Sequence, residues 1–286
     1  MPERRVAVVT DSTSTLTHDE AAAHGIVVIP LQVIIGATSY DEGVDEGASP
    51  EMVAAALKSF TPVTTSRPSP AGMLEVYADL AAQGYDEIVT FHLSSRMSGT
   101  FESALMASRD ATIPVHVVDT QQVGPAVGYA AIAAVRALEG GASAEKAGKI
   151  GLERALSSTS LFYVDTLEYL RRGGRVGSAA AFFGGALAVK PLLRIENGSI
   201  ESFEKVRTAG KALARLEDLA AEAAGEDPVE LTVAHLASPD RAEQLANKLA
   251  ARLGLQAPVR TVELGAVLGA HVGPGMVAVC VMPTGA

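Results

Sequence analysis

The chain has 286 residues, 48% of them apolar, and carries 33 acidic against 23 basic side chains for a formal net charge of −10. That length and apolar share support a real core in one large domain or two smaller ones. The charge excludes the overall basic character of a nucleic-acid binder and argues against electrostatic adhesion to an anionic membrane.

The first residues, Met-Pro-Glu-Arg-Arg-Val, reach Asp11 before any long apolar stretch and read poorly as a signal peptide. Val6–Thr10 is a short buried-strand run, and Ile26–Leu31 is a second that Gln32–Ile35 extends. Ser49-Pro50-Glu51 opens a helix, with Ser as N-cap and Pro in the first turn. Ser69-Pro70 repeats that signal. Ile88–Leu93 and Val115–Val118 are further strand runs, each followed by a polar loop and a helical stretch. Such alternation predicts a parallel sheet with helices on its faces. Helices between Gly124 and Ser157 are expected to bridge the two halves of the chain.

The second half starts near Leu161, with a strand over Leu161–Val164 and a basic, Gly-rich loop over Arg171–Gly177. The Ala/Gly-rich stretch Ser178–Val189 is too short for a membrane span of about 20 residues, and no stable membrane insertion is expected. Leu192–Ile195 and Ile200–Phe203 flank Asn197-Gly198, a strong hairpin signal. A helix over Ala209–Ala224, a strand over Val229–His235, a helix from Pro239 to Leu253 and strands near Val259 and Met276 complete an α+β pattern. Cys280, the only cysteine, falls in the last apolar run and reads as a buried strand residue. An intramolecular disulfide is excluded, which fits a reducing, cytoplasmic compartment. The expected domains are residues 1–157, an α/β domain that includes the bridging helices, and residues 158–286, an α+β domain.

Ligands of parallel α/β sheets bind at the carboxyl ends of the strands. Three loops fall there: Asp11–Thr15, Ser94–Thr100 and Asp119-Thr120. Their hydroxyls, and the helix start at Ser98-Gly99-Thr100, suit an anion held by neutral donors. The same residue types also make N-caps and Ser/Thr turns. Thr64–Ser69 is another hydroxyl-rich loop. In His271-Val272-Gly273-Pro274-Gly275 the glycines permit close backbone approach and the histidine is a switchable donor. The six histidines show no metal-ligand spacing, and there is neither a phosphate-binding Gly-x-x-x-x-Gly-Lys loop nor a Gly-x-Ser-x-Gly elbow. No metal and no cofactor are expected. A scattered Ser98/His271/Asp11 triad is the hydrolase arrangement the sequence leaves open.

Together these segments resemble the DegV family of bacterial fatty-acid-binding proteins. The resemblance rests on Val9–Ser14, Val28–Leu31, Tyr40-Asp41 with Val44-Asp45, Thr65–Ser69, His92–Ser95 leading to Ser98-Gly99-Thr100, Gly173-Gly174-Arg175, Lys190-Pro191 and His271-x-Gly-Pro-Gly, in that order. It implies a two-domain α/β fold with the ligand between the domains. It also implies a long-chain fatty acid whose acyl chain lies in an apolar tunnel, to which Ser178–Val189 could contribute. Hydroxyls matching Thr65 and Ser98 would hold the carboxylate, with His271 beside them; Ser66, Ser94 and Gly99 are secondary candidates. Some members present their cargo to a separate ATP-binding fatty acid kinase, through arginines matching Arg175 and Arg207. The expectation is therefore a carrier without catalysis of its own, with a kinase-independent lipid sensor or scaffold as the alternative. Arg67 departs from the family pattern, where Gln is usual, and Gly177 and Gly124 stand where Ser is frequent.

Overall fold

The computed structural model describes residues 4–182 and 190–284. Along the chain the strands are β1 Val6–Asp11, β2 Ile26–Ile29, β3 Gln32–Ile35, β4 Thr38–Asp41, β5 Val63–Ser66, β6 Glu87–His92, β7 Val115–Asp119, β8 Thr159–Tyr163, β9 Lys190–Glu196, β10 Ser199–Val206, β11 Val229–His235, β12 Arg260–Glu263 and β13 Val277–Pro283. The helices are α1 His18–Ala23, α2 Pro50–Lys58, α3 Pro70–Ala82, α4 Thr100–Asp110, α5 Pro125–Glu139, α6 Ala144–Leu156, α7 Glu168–Arg172, α8 Ala209–Ala224, α9 Pro239–Leu253 and α10 Ala266–Val272. Among the described residues no helix is long and apolar enough to cross a membrane.

Two compact units emerge: Met1–Gln32 with Ser66–Leu156, and Val33–Thr65 with Ser157–Ala286. The expected division into 1–157 and 158–286 therefore needs correction, because residues 33–65 pack with the second unit. The reason lies at Pro30. The run Ile26–Ile35 reads as one strand, but a proline has no N–H for a sheet ladder. The run breaks there: β2 pairs with β1, whereas β3 joins a separate sheet of order β4-β3-β5.

The first unit is built on a sheet of order β2-β1-β6-β7, parallel throughout. Alternate side chains of each strand point to opposite faces. On one face Val8, Val89 and Phe91 pack with Val127, Ala130, Ala131 and Ala147 of α5 and α6. On the other, Ala7, Val9 and Ile88 pack with Met73, Tyr77 and Ala104 of α3 and α4. The helices expected to bridge the halves thus cover this sheet instead, their small residues allowing close approach to the strands. Both Ser-Pro starts hold: Ser49 Oγ accepts from Met52 N at 3.2 Å and Ser69 Oγ from Gly72 N at 3.0 Å.

The second unit contains a six-stranded sheet, β10-β9-β8-β13-β11-β12, antiparallel except for the β11–β12 pair. The Asn197-Gly198 hairpin forms between β9 and β10, with positive φ at both residues, 49° and 77°, as a type I′ turn requires. Leu216 of α8 and Leu245 and Leu249 of α9 cover the sheet against Tyr163, Leu192 and Val279. Cys280 is buried in β13 as expected. A 3-10 helix spans Gly177–Phe182 in the small-residue stretch Ser178–Val189. Residues 183–189 of that stretch lie outside the described residues.

Candidate functional site

The hydroxyl-rich turn after β6 rests on a fully buried polar chain. Asp11, at the end of β1, and His92, at the end of β6, lie on neighbouring strands of the parallel sheet. Asp11 Oδ2 meets His92 Nδ1 at 3.0 Å and accepts from Leu93 N at 3.1 Å; Oδ1 accepts from Thr13 N and Thr13 Oγ1 at 3.1 and 2.6 Å. His92 Nε2 then meets Thr90 Oγ1 at 2.8 Å. Both ring nitrogens of His92 are thus engaged, one by the carboxyl and one by the threonine hydroxyl. Asp11 and His92 are 0% exposed. Asp11 is therefore committed to His92, which removes it from the Ser98/His271/Asp11 arrangement.

Above this chain the turn is tied down by backbone bonds. Ser94 N donates to Gln122 O at 2.8 Å, Ser98 N to Ser94 O at 3.1 Å, and Ser94 Oγ accepts from Arg96 N at 3.2 Å. Ser95 Oγ donates to Asp119 Oδ2 at 2.5 Å. Gly99 is the N-cap of α4 and offers no side chain to its free amides. Ser98, partly exposed, meets Thr100 Oγ1 through its own Oγ at 2.8 Å. Of the expected contacts, Ser94 is buried under the turn, while Ser98 and Gly99 stay partly open.

In the second unit, Thr65 and His271 come together from opposite ends of the sequence: Thr65 Oγ1 lies 2.8 Å from His271 Nε2. Thr65 is in β5. His271 sits in the last turn of α10, with Gly273 capping that helix at a φ of 74°. The helix start is held by Glu42, whose Oε1 accepts from Val267 N at 2.8 Å. This buried carboxylate at the positive end of the helix is a positioning group that no local sequence pattern reveals. His271 Nδ1 is buried with no hydrogen-bond partner among the described residues. The backbone of Gly173 presses on it so closely that a Cβ there would stand 2.2 Å from Nδ1. Burial, with the Arg175 charge assisting, pulls the His271 ring down to about 4, so it is neutral at pH 7.

Ser66 also lies in β5, its Oγ donating to Arg67 O at 3.3 Å. Arg175 is half-buried and donates from Nη1 to Gly173 O at 2.5 Å. Arg207 is exposed between β10 and α8. Arg171 and Arg172, by contrast, are drawn to Glu168 at 2.7 Å each. A further cluster escaped the sequence reading. Asp165 accepts from Tyr163, and Lys190 Nζ and Arg241 Nη1 each approach its carboxyl at 3.4 Å. Burial pushes the Asp165 carboxyl up, but Tyr163 and the two cations outweigh it and hold the group low. Lys190 had been singled out in the sequence; Tyr163 ends β8, Asp165 follows it in the loop, and Arg241 of α9 joins them only in the fold. No group of three or more His, Cys, Asp or Glu suited to a metal ion occurs among the described residues.

Comparison with known proteins gives a consistent result. The family model described as an uncharacterised protein of the DegV family matches residues 5–284. A DegV domain-containing protein of Streptomyces coelicolor is 49% identical over 278 residues, spanning 97% of this chain and 98% of its own length. A solved DegV family protein from Thermus thermophilus, described by its fatty acid binding, matches with a TM-score of 0.89 at 32% identity, over 98% of this chain and 99% of that one. DegV of Bacillus subtilis, described as a fatty acid binding protein, matches with a TM-score of 0.89 at 33% identity, over 98% and 100% of the two chains.

Proposed function

Because this chain belongs to the DegV family, we propose that it is a carrier that binds a long-chain fatty acid and performs no catalysis of its own. The carboxylate is held by the hydroxyls of Thr65 and Ser98. His271 orients the first of these, and Ser66, Ser94 and Gly99 shape the surroundings. The observation that carries this reading is the 2.8 Å bond between Thr65 Oγ1 and His271 Nε2. Supporting it, two structural relatives are described as fatty acid binding.

The chemistry follows from the neutral ring. A positive neighbour disfavours a proton on the imidazole, and Arg175 is such a neighbour. With the one proton on Nε2, the ring donates to Thr65 Oγ1 and leaves the unpartnered Nδ1 as a bare acceptor. The Thr65 hydroxyl proton is then released to point at an anion. Neutral donors hold a carboxylate without quenching it, so its oxygen stays nucleophilic, whereas a bidentate guanidinium clamp would stabilise it further. Each buried methylene contributes about 0.8 kcal/mol, so a long acyl chain adds on the order of 10 kcal/mol before the costs of association.

Such a presented carboxylate suits phosphorylation by a separate ATP-binding kinase, and we assign Arg175 and Arg207 to docking it. Arg207 is exposed, and Arg175 is fixed on the Gly173 carbonyl. The first experiment is mass spectrometry of the organic extract from purified protein. Near-stoichiometric fatty acid supports the carrier reading; a protein that is empty and also refuses added fatty acids ends it. Arg175→Glu and Arg207→Glu should spare lipid binding and impair phosphorylation by a fatty acid kinase. Unimpaired phosphorylation would leave a lipid sensor or scaffold as the better reading.

A further inference from the structure

Arg67 stands two residues after Thr65, and its side chain lies along the turn that carries Ser98. Nη1 donates to Gly99 O at 3.0 Å. The contact is so close that a Cβ on Gly99 would stand 1.9 Å from that nitrogen. The guanidinium is thus laid against the backbone immediately after Ser98. Among the described residues Arg67 forms no ion pair, which sets it apart from Arg171, Arg172, Arg215 and Arg252, each held by at least one carboxylate. Gly99 O takes one of its five N–H donors, and among the described residues no other side-chain bond or carboxylate engages the guanidinium. The side chain is exposed, so the charge costs no desolvation to keep.

We infer that Arg67 is the residue by which this chain selects the ionised fatty acid over uncharged lipids of the same length. The inference rests on the reading of Ser98 as a head-group donor. Hydroxyl donors alone discriminate weakly between a carboxylate and an alcohol, because both supply acceptor oxygens. A cation fixed on the turn that carries Ser98 favours only the charged head group, and it does so by proximity, without the two-bond fork that would quench the oxygen. Gly99 is part of the device: any larger residue there would push the guanidinium off the turn. Because the charge is solvent-facing, its contribution must also weaken as salt is added.

The test is competitive displacement of a fluorescent fatty acid by palmitate and by hexadecanol, from the wild-type protein, Arg67→Gln and Arg67→Lys, at low and high salt. Arg67 is exposed, and circular dichroism checks that each variant is folded. Arg67→Gln should weaken palmitate roughly 5- to 10-fold and leave hexadecanol unchanged, the scale of a single charge-assisted contact. Arg67→Lys should restore most of the preference, and the salt dependence of palmitate binding should flatten in Arg67→Gln. An unchanged palmitate-to-hexadecanol ratio in Arg67→Gln overturns the inference while leaving the carrier reading intact. A wild-type protein that binds neither the fluorescent acid nor palmitate overturns that reading, and the inference with it.

Discussion

His92 and His271 each meet a threonine hydroxyl at 2.8 Å, yet their surroundings differ in kind. Both nitrogens of His92 have partners, and the carboxyl that receives one of them is itself held by three further donors. At His271 one nitrogen is unpartnered among the described residues, and the ring is pressed against a backbone with a cation nearby. The first histidine belongs to a closed network, in which every polar group is spent on holding a loop. The second belongs to an open one, in which a buried ring nitrogen has no partner among the described residues. Polar burial is common to both histidines; the incomplete set of partners is what distinguishes His271.

Single substitutions and a change of pH break or sharpen that contrast. The largest effect is expected from His92→Ala, which strands Asp11 and Thr90 in the core. It should cost about 3–5 kcal/mol in urea denaturation, the scale of breaking a buried pair; a loss below 1 kcal/mol would mean that the network is not closed. Next is acid. The unfolded His271 ring binds its proton near pH 6.5 and the folded ring near 4. Between those values the unfolded chain holds more protons, so stability falls as the pH is lowered through that window, by up to about 3 kcal/mol. His271→Gln should remove that part of the slope, and an identical pH profile in the variant would contradict the assignment.

Gly173→Ala forces a methyl against His271 Nδ1 and should cost about 1–3 kcal/mol while weakening fatty acid binding through displacement of the ring. Thermal melts and lipid titration of the same sample separate the two effects. Smallest in stability are Thr65→Ala and Ser98→Ala, at about 0.5–1.5 kcal/mol each. Both should weaken fatty acid binding about tenfold with the fold intact, and unchanged affinity would remove that residue from the site.

Much of the local structure is legible in the sequence because its determinants are local. The Ser-Pro starts at 49 and 69 and the Asn197-Gly198 hairpin depend on residues within a few positions of one another. The grouping of elements is less legible. Pro30 diverts β3 from the sheet of β2, and the small residues of α5 and α6 do not announce which surface they cover. Of the site, Thr65, Ser98 and His271 stand out by residue type, and the structure unites the first with the third. The helix carrying His271 is not legible because Gly265 and Gly269 weaken its helical signal, and because its cap, Glu42, lies 225 positions away. The Asp11–His92 pair requires the order of the parallel strands, which neither segment encodes by itself.

The packing of residues 33–65 with the second unit also sets a timetable for synthesis. Glu42 leaves the ribosome long before Val267, the residue whose amide it receives. At 5–20 residues per second that interval is on the order of 10 s or more. During it α2, which packs against α10 in the finished protein, has no partner to bury its apolar face. The first unit can assemble while the chain is still growing, with this segment waiting as an unfolded excursion from it. A nascent chain halted at residue 157 should accordingly protect Val6–Asp11 and Glu87–His92 from protease while residues 33–65 remain cleavable.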